Sequence, residues 1–246
     1  MTARHLSTDT AGLALTTGRG IRIAVVDSGV APHHPHVGRV GVGVGVALVG
    51  DDPSDTADRV GHGTAVAAAI REKAPDAELI PVRVLDRQLA TSARILARAI
   101  EWAVEANVHL VNLSLGTTND AHIPLFQDAL RAARHHGVLV LSAARHEQTP
   151  WYPGALASAV GVVAIAGTPR NGVRVVRAAG GALLEASPYP RPIECLPEER
   201  NLTGVSFAVA NATGVVARAL EAGAPRTSVA DLMAWIESAA DIDLTR

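Results

Sequence analysis

Short apolar runs alternate with longer amphipathic segments along this chain. The β-branched run at 21–26 predicts a buried strand that ends in the turn residues Asp27, Ser28 and Gly29. Four more strands are predicted at 79–85, 108–115, 138–141 and 159–165, and helices at 65–71, 91–104, 125–136, 206–222 and 228–240. Helices that separate consecutive strands are typical of βαβ units. The pattern therefore predicts an α/β fold in three layers, with a mostly parallel central sheet and helices on both faces.

Composition and charge narrow the class of protein further. The 246 residues are 48% hydrophobic and 19% charged, with a net charge of −2, which is typical of a globular domain and gives no basic surface for nucleic acid. We expect a single domain over residues 1–246. No apolar run approaches the roughly 18 residues that a membrane-spanning helix needs, so no membrane partner is expected. The N-terminal segment lacks a signal-peptide pattern and Cys195 is the only cysteine, which together favour a cytoplasmic protein.

Three residues that lie next to or near glycines carry candidate chemistry. Asp27 follows the first predicted strand, His62 stands in Gly-His-Gly-Thr at the head of a helix, and Ser206 opens a later helix. Each alone has an ordinary structural interpretation, as a turn residue, a capping or packing residue, and an N-cap. Together, in the order Asp, His, Ser, they match one of the convergent catalytic triads. In such a triad the imidazole removes the serine proton and the carboxylate orients the imidazole.

Five segments carry a resemblance to a known family. They are 23–30 (IAVVDSGV), 61–67 (GHGTAVA), 111–116 (VNLSLG), Tyr152-Pro153, and 204–214, which begins GVSFA. In this order they resemble the motifs of the subtilisin-like serine peptidases. The resemblance implies a subtilisin-like fold and a serine endopeptidase in which Ser206 attacks the peptide carbonyl, His62 shuttles the proton and Asp27 orients His62. It also implies that a peptide or protein substrate pairs as an added strand with the third motif, at Asn112, Ser114, Leu115 and Gly116.

The chain departs from the family pattern around the site. His146 stands where the family has the asparagine of its oxyanion hole, and Arg145 and Trp151 stand at two glycine positions of the pocket for the residue before the cleaved bond. We expect His146 and the Ser206 N–H to stabilise the oxyanion in a slow enzyme, since losing one such donor costs about 10²–10³ in turnover. Trp151 should fill the pocket, and Arg145 should either point to solvent or bind an acidic group. These changes predict a narrow range of substrates, with a small or acidic residue before the cleaved bond.

The same residues leave two functions open. The first is a narrow-specificity endopeptidase that processes a dedicated peptide, such as a biosynthetic precursor. The alternative is a catalytically impaired relative that binds peptides in the same groove. We expect no cofactor and no metal, because an oxygen-rich calcium loop common in secreted relatives is missing after the first helix, and the acidic residues Asp51, Asp52, Asp55 and Asp58 are interpreted as a solvated loop. No propeptide domain is evident before Asp27, which favours a cytoplasmic processing role, and the oligomeric state is left open.

Overall fold

A mostly parallel sheet forms the centre of the protein. The computed structural model describes residues 15–47, 50–85, 90–178, 180–195, 197 and 200–239. The strands of the sheet are β1 (Arg22–Asp27), β2 (Val44–Gly45), β3 (Glu78–Arg83), β4 (Leu110–Leu113), β5 (Leu139–Ala143), β8 (Val160–Ala164), β9 (Arg174–Ala178) and β10 (Gly181–Ala186). Their spatial order is β2-β3-β1-β4-β5-β8-β10-β9, and neighbours are parallel except for the antiparallel pair β10 and β9. The remaining strands, β6 (Arg145–His146) and β7 (Thr149–Pro150), form a separate antiparallel hairpin.

Helices cover both faces of the sheet, which confirms the predicted three-layer α/β fold. They are α1 (His62–Lys73), α2 (Ala93–Glu105), α3 (Ile123–His135), α4 (Val205–Glu221) and α5 (Val229–Ser238), with a short 3-10 helix at Asp120–His122. Alternate side chains of β1 point to opposite faces because the period of a strand is two. Ile23 and Val25 pack with α1, α4 and α5, whereas Ala24 and Val26 pack with α2 and α3. No helix in the described part of the chain is long and apolar enough to cross a bilayer.

Small residues allow the helices to approach one another closely. The central helix α4 is buried on nearly all sides, and its Gly214 faces Lys73 of α1, where an added Cβ would lie 2.6 Å from the lysine Cβ. Phe126 is the largest of the fully buried side chains among the described residues. The two cores are therefore built mainly from Ala, Val, Ile and Leu, as the aromatic content of 3% requires.

The chain reverses its direction of travel across the sheet at β1. It passes from β1 to β3 on one side and then returns to β4 on the other side, so the loops that follow β1 and β4 diverge. In open parallel sheets such a switch point, beyond the carboxyl ends of the strands, leaves a crevice in which ligands bind. Asp27 is the last residue of β1, and the topology therefore places it at this crevice.

Some boundaries differ from the sequence-based expectations. Helix α1 begins at His62 rather than at residue 65, and α4 begins at Val205 with Gly204 as its N-cap, so Ser206 lies inside the first turn and is not the cap. The strands β9 and β10 and the β6–β7 hairpin were not predicted, because these short segments carry arginine, glycine or proline instead of a clear alternation. The N-cap of α2 is Ser92, whose Oγ accepts the Ile95 N–H at 3.3 Å.

Candidate active site

Asp27 and His62 meet at the carboxyl end of β1. The His62 Nδ1 atom lies 2.7 Å from Asp27 Oδ1, and the Ser28 N–H donates to the same oxygen at 2.7 Å. Asp27 is fully buried, so its carboxylate fixes the imidazole tautomer with the proton on Nδ1 and the lone pair on Nε2. This is the arrangement that a general base requires.

Glycine is needed where α1 approaches β1. A Cβ on Gly63 would lie 2.1 Å from the Gly29 carbonyl oxygen and 3.1 Å from the Asp27 Cβ. Gly29 itself has a φ of 104°, and its Cβ would collide with the backbone of 56–57. The two glycines of the aspartate and histidine motifs therefore let the helix start close enough for His62 to reach Asp27.

Asp58 organises the start of α1, a role that the sequence reasoning missed. Its Oδ1 accepts hydrogen bonds from Ser28 Oγ (2.9 Å) and from the N–H groups of Val60 and Gly61 (2.9 and 2.8 Å). Its Oδ2 accepts hydrogen bonds from the Thr64 N–H (2.8 Å) and the Thr64 hydroxyl (2.6 Å). An acidic residue just before a helix N-terminus was the available signal, because such a residue complements the helix dipole.

The surroundings of His62 raise the pKa of its imidazole. The hydrogen bond to Asp27 raises the pKa of His62 above its ordinary value of 6.5, burial opposes this shift, and the charges of Asp27 and Asp58 add to it. At Asp58, burial alone would raise the pKa, but the hydrogen bonds from Thr64, Val60 and Gly61 outweigh burial and hold the pKa below 3.8. Asp58 therefore stays ionised and supplies a second negative charge near His62.

Ser206 lies in the first turn of the buried helix α4. The ring of the next residue, Phe207, is centred 5.9 Å from the His62 ring, which brings the serine to the same crevice. Ser114 Oγ contacts the Ser206 carbonyl oxygen at 3.5 Å. Among the described residues, no hydrogen bond joins Ser206 Oγ to His62, and the Ser206 N–H has no acceptor. A free N–H at a helix N-terminus is a ready donor to an anionic oxygen.

The segment that begins in β4 and continues past it is the one predicted to pair with a substrate strand. Asn112 is fully buried, its backbone pairs with β1 and β5, and its side chain binds Ser114 Oγ (3.1 Å) and Thr213 Oγ1 (3.0 Å). Its predicted contact with substrate was wrong, because both edges of β4 are already paired. Leu115 and Gly116 extend beyond the paired strand and are only half-buried.

Trp151 occupies the region beside Gly116. An added Cβ on Gly116 would lie 1.8 Å from Cδ1 and Nε1 of Trp151, so the indole packs directly on the glycine. The Trp151 N–H donates to the Ala144 carbonyl at 3.0 Å, and Tyr152 exchanges two backbone hydrogen bonds with Thr117. These bonds anchor the tryptophan between the strand extensions that follow β4 and β5. Its Nε1–H is buried without an acceptor among the described residues.

His146 and Arg145 lie on the exposed β6–β7 hairpin. The His146 ring packs edge-on against Trp151, with the ring centroids 4.7 Å apart. Arg145 is exposed and forms no ion pair with any residue that the structure describes. The three substituted positions of the family pattern therefore form one surface beside Gly116.

The four clustered aspartates each have their own partners instead of a common centre. Asp51 pairs with Arg98 at 2.7 Å, Asp52 accepts from Ser54, and Asp55 pairs with Arg59 at 2.6 Å and with Arg83, whereas Asp58 caps α1. Within the described ranges, no group of His, Cys, Asp and Glu side chains converges as a metal site. The expectation of a solvated loop was therefore too simple, since Asp51, Asp55 and Asp58 hold the loop onto the fold, whereas the Asp52 side chain is exposed and binds Ser54 within the loop.

Comparison with known proteins decides the family. A sequence model of the subtilase family matches residues 18–245. The chain belongs to the subtilase family. This subtilase is 34% identical over 214 residues to the "Thermostable alkaline protease" of Halalkalibacterium halodurans, with 81% of this chain and 56% of the relative covered. It is 32% identical over 144 residues to the "Intracellular serine protease" of Paenibacillus polymyxa, with 54% and 43% covered. The chain spans about half the length of these curated relatives.

Solved structures share the subtilase fold. The structure titled "Sphericase" aligns with a TM-score of 0.67 at 24% identity, over 87% of this chain and 82% of that one. The "Crystal Structure of a Lanthipeptide Protease" aligns with a TM-score of 0.67 at 20% identity, over 89% of this chain and 80% of that one. These alignments support the three-layer architecture described above.

Proposed function

We propose that this subtilase is a serine endopeptidase in which Asp27, His62 and Ser206 form the catalytic triad. The observation that carries the proposal is the hydrogen bond from His62 Nδ1 to the buried Asp27 carboxylate, which leaves the imidazole Nε2 available at the crevice of Ser206. An imidazole oriented in this way by a carboxylate is the general base of a serine nucleophile. The peptidase relatives named above support the same reaction class.

The proposed reaction proceeds in two steps. Ser206 Oγ attacks the carbonyl carbon of the peptide bond while its proton passes to His62 Nε2. The C–N bond then breaks as His62 gives this proton to the leaving nitrogen, which yields an acyl ester on Ser206 and a free amine. Water hydrolyses the ester by the same route, with His62 again accepting and returning a proton. Asp27 stabilises the imidazolium in both steps.

The oxyanion of each step needs donors, and we propose two. The Ser206 N–H has no acceptor among the described residues and lies at the positive end of α4. The second donor is the His146 side chain, which lies on the hairpin beside Trp151. His146→Ala should lower turnover by about 10²-fold or more if this imidazole donates, because that is the typical cost of losing one oxyanion donor. Turnover that is unchanged in His146→Ala would remove the imidazole from the oxyanion hole.

Trp151 restricts the size of the substrate residue that can stand before the cleaved bond. Its indole packs on Gly116, where the substrate strand is proposed to pair, and leaves little room for a large side chain. The exposed guanidinium of Arg145 has no ion-pair partner among the described residues, which makes an acidic side chain a second acceptable group.

We propose that the enzyme processes a dedicated peptide in the cytoplasm. A relative named as intracellular and a structural neighbour titled as a lanthipeptide protease support this proposal.

Labelling with a fluorophosphonate probe tests the proposed function. The probe forms a covalent bond to an activated serine oxygen, so we expect labelling of the full chain that is lost in Ser206→Ala. The exposed Ser158, which lies in a turn far along the chain from the triad, provides the matched control, and Ser158→Ala should label like the wild-type protein. Absent labelling would contradict the triad and favour a peptide-binding relative without catalysis, and labelling that survives in Ser206→Ala would assign the activated oxygen to another serine.

A further inference from the structure

A chain of polar side chains runs through the buried interface between α4 and β4. The Thr213 hydroxyl donates to Asn112 Oδ1 at 3.0 Å, and Asn112 Nδ2 donates to Ser114 Oγ at 3.1 Å. Ser114 Oγ in turn lies 3.5 Å from the Ser206 carbonyl oxygen. Thr213 and Asn112 are fully buried, and Ser114 is only 6% exposed. The chain therefore begins in the core and ends at the backbone of the proposed nucleophile.

The spacing of these residues along the sequence brings them to one interface. Asn112 and Ser114 alternate with Leu113, so their side chains point to the same face of the sheet. Leu110 lies on that face as well and belongs to the same core as the buried side chains of α4. Ser206 and Thr213 are separated by about two helical turns, which places them on one side of α4. Strand and helix are therefore joined at two points along this interface.

The polar side chains of this interface are exceptions in an apolar helix. The other buried side chains of α4 are apolar, apart from Asn211, whose Nδ2 donates to the carbonyls of Ser187 and Tyr189 at 2.9 Å. A buried amide or hydroxyl destabilises a fold unless it is hydrogen-bonded. Without the Thr213 hydroxyl, Asn112 Oδ1 would have no donor among the described residues. Thr213 is therefore the residue that makes a buried amide acceptable at this place.

The donor at one end of the chain sets the direction of the bonds that follow. An amide side chain has one accepting and one donating end. Because Thr213 donates to Oδ1, the Nδ2 end of Asn112 is turned to Ser114. Ser114 Oγ accepts this hydrogen bond, so its own proton is directed to the Ser206 carbonyl oxygen. Hydrogen bonds at active sites are often long without substrate and tighten in the reacting complex, which is where the 3.5 Å contact becomes effective.

We propose that Thr213 and Asn112 are positioning residues that hold Ser206 in place through Ser114. The carbonyl that Ser114 contacts belongs to the same residue as the nucleophilic Oγ and the N–H proposed as an oxyanion donor, so holding the carbonyl holds both groups. A misplacement of about 1 Å at a reacting centre can cost about 10²-fold in rate. The role rests on the proposed function, because it acts only through the chemistry of Ser206.

The test measures the rate constant for fluorophosphonate labelling of Ser206 as a function of pH. The probe does not pair as a substrate strand, so its rate reports the nucleophile and its base. Thr213→Val keeps the shape of the side chain but removes the hydroxyl, and it should lower the plateau rate by about ten-fold. The pH of the acidic limb should not change, because the pair of His62 and Asp27 is untouched. Thr213→Ser retains the hydroxyl and should restore most of the rate.

Thr168→Val is the matched control for the loss of a buried hydroxyl. Thr168 lies in the loop after β8 and is 2% exposed, and its Oγ1 has no partner among the described residues. The substitution is the same as Thr213→Val in size and chemistry, and the labelling rate should equal that of the wild-type protein. Urea unfolding of every variant records stability separately from the labelling rate.

A double-mutant cycle separates a connected chain from a general loosening of the core. Ser114→Ala removes the last side chain before Ser206 and should cost about as much as Thr213→Val. Because both variants break the same connection, the double variant should also lose about ten-fold, whereas independent losses would multiply to about 10²-fold.

The outcomes distinguish this role from the proposed function. Plateau rates that are unchanged in Thr213→Val and Ser114→Ala, losses that multiply in the double variant, or a limb that shifts while the plateau stays would each overturn the positioning role. Failure of Thr213→Ser to restore the rate would do the same. A wild-type protein that is not labelled at Ser206 would overturn the proposed function and this role with it.

Discussion

Asp58 offers the sharpest test of how the fold positions the base. Its carboxylate accepts hydrogen bonds from two N–H groups of the turn before α1, from the N–H and hydroxyl of Thr64, and from Ser28 Oγ. Ser28 Oγ in turn accepts the Gly63 N–H at 3.0 Å, and Gly61 as N-cap has no side chain of its own. In the first turn of α1, the Gly63 N–H is therefore bound by Ser28 Oγ and the Thr64 N–H by Asp58 Oδ2. Because Ser28 Oγ is itself held by Asp58, both of these hydrogen bonds depend on Asp58.

Replacing Asp58 by alanine should lower the free energy of unfolding by about 2–4 kcal/mol. Loss of a capping side chain costs about 1 kcal/mol, and a hydrogen bond to a charged acceptor contributes about 1.5–3 kcal/mol. Asp58 is half-buried, so water can replace part of these hydrogen bonds in the variant. The expected loss in the free energy of unfolding is therefore well below the sum over all the donors to Asp58. Asp58→Asn retains the shape and part of the acceptor capacity, and we expect about half the loss.

Urea unfolding and pH-rate profiles together measure this effect. Because the pKa of Asp58 is below 3.8 in the folded protein, its contribution is complete above that pH and is lost as the pH falls through the folded-state value. His62 is the first residue of α1, so kcat should fall more than KM rises, with partial rescue in Asp58→Asn. Asp52→Ala removes the same charge from an exposed loop and is the control. An Asp58→Ala protein within about 0.5 kcal/mol of wild type, with unchanged kcat, would refute the reasoning.

Three further predictions follow from the same geometry. Since the hydrogen bond to Asp27 raises the pKa of His62 above 6.5 and the reaction needs neutral imidazole, the acidic limb of kcat/KM should lie above pH 6.5 in a pH-rate profile; a limb below that value would contradict this. Trp151→Gly should extend cleavage to peptides with larger residues before the bond, whereas a cleavage pattern unchanged in a peptide library would show that the indole does not limit the pocket. Burial lowers the pKa of Lys73 to about 8, so between about pH 8 and 10.5 the unfolded state binds more protons than the folded state. The free energy of unfolding should therefore rise with pH in this range. Urea titrations should show this rise in the wild-type protein and not in Lys73→Met.

The residues of the proposed triad could be named from the sequence because local motifs carry them. Asp27 and His62 lie at element ends beside glycines, and the structure joins their side chains at 2.7 Å. That Trp151 fills the substrate pocket stays a prediction, and the structure places its indole against Gly116. Both predictions depended on residue types that suit one chemistry or one volume, and such information is present in the linear motif.

Burial and partnership were harder to predict. Asn112 was expected to contact substrate, but a strand paired on both edges buries it, and pairing of a strand depends on segments far away in the chain. Asp58 was interpreted as part of a solvated loop, although it holds Ser28 and the start of α1.

The sequence by itself predicted five of the parallel strands, the five helices and the chemical types at their ends. Apolar residues at periods of two and of three to four specify strands and helices. Only the tertiary structure decided which ends meet, because the order of strands places β1 between β3 and β4 and brings Asp27, His62 and the first turn of α4 to one crevice. The physical reason is that periodicity reports the face each residue buries, whereas the position of a site depends on how those faces pack against one another.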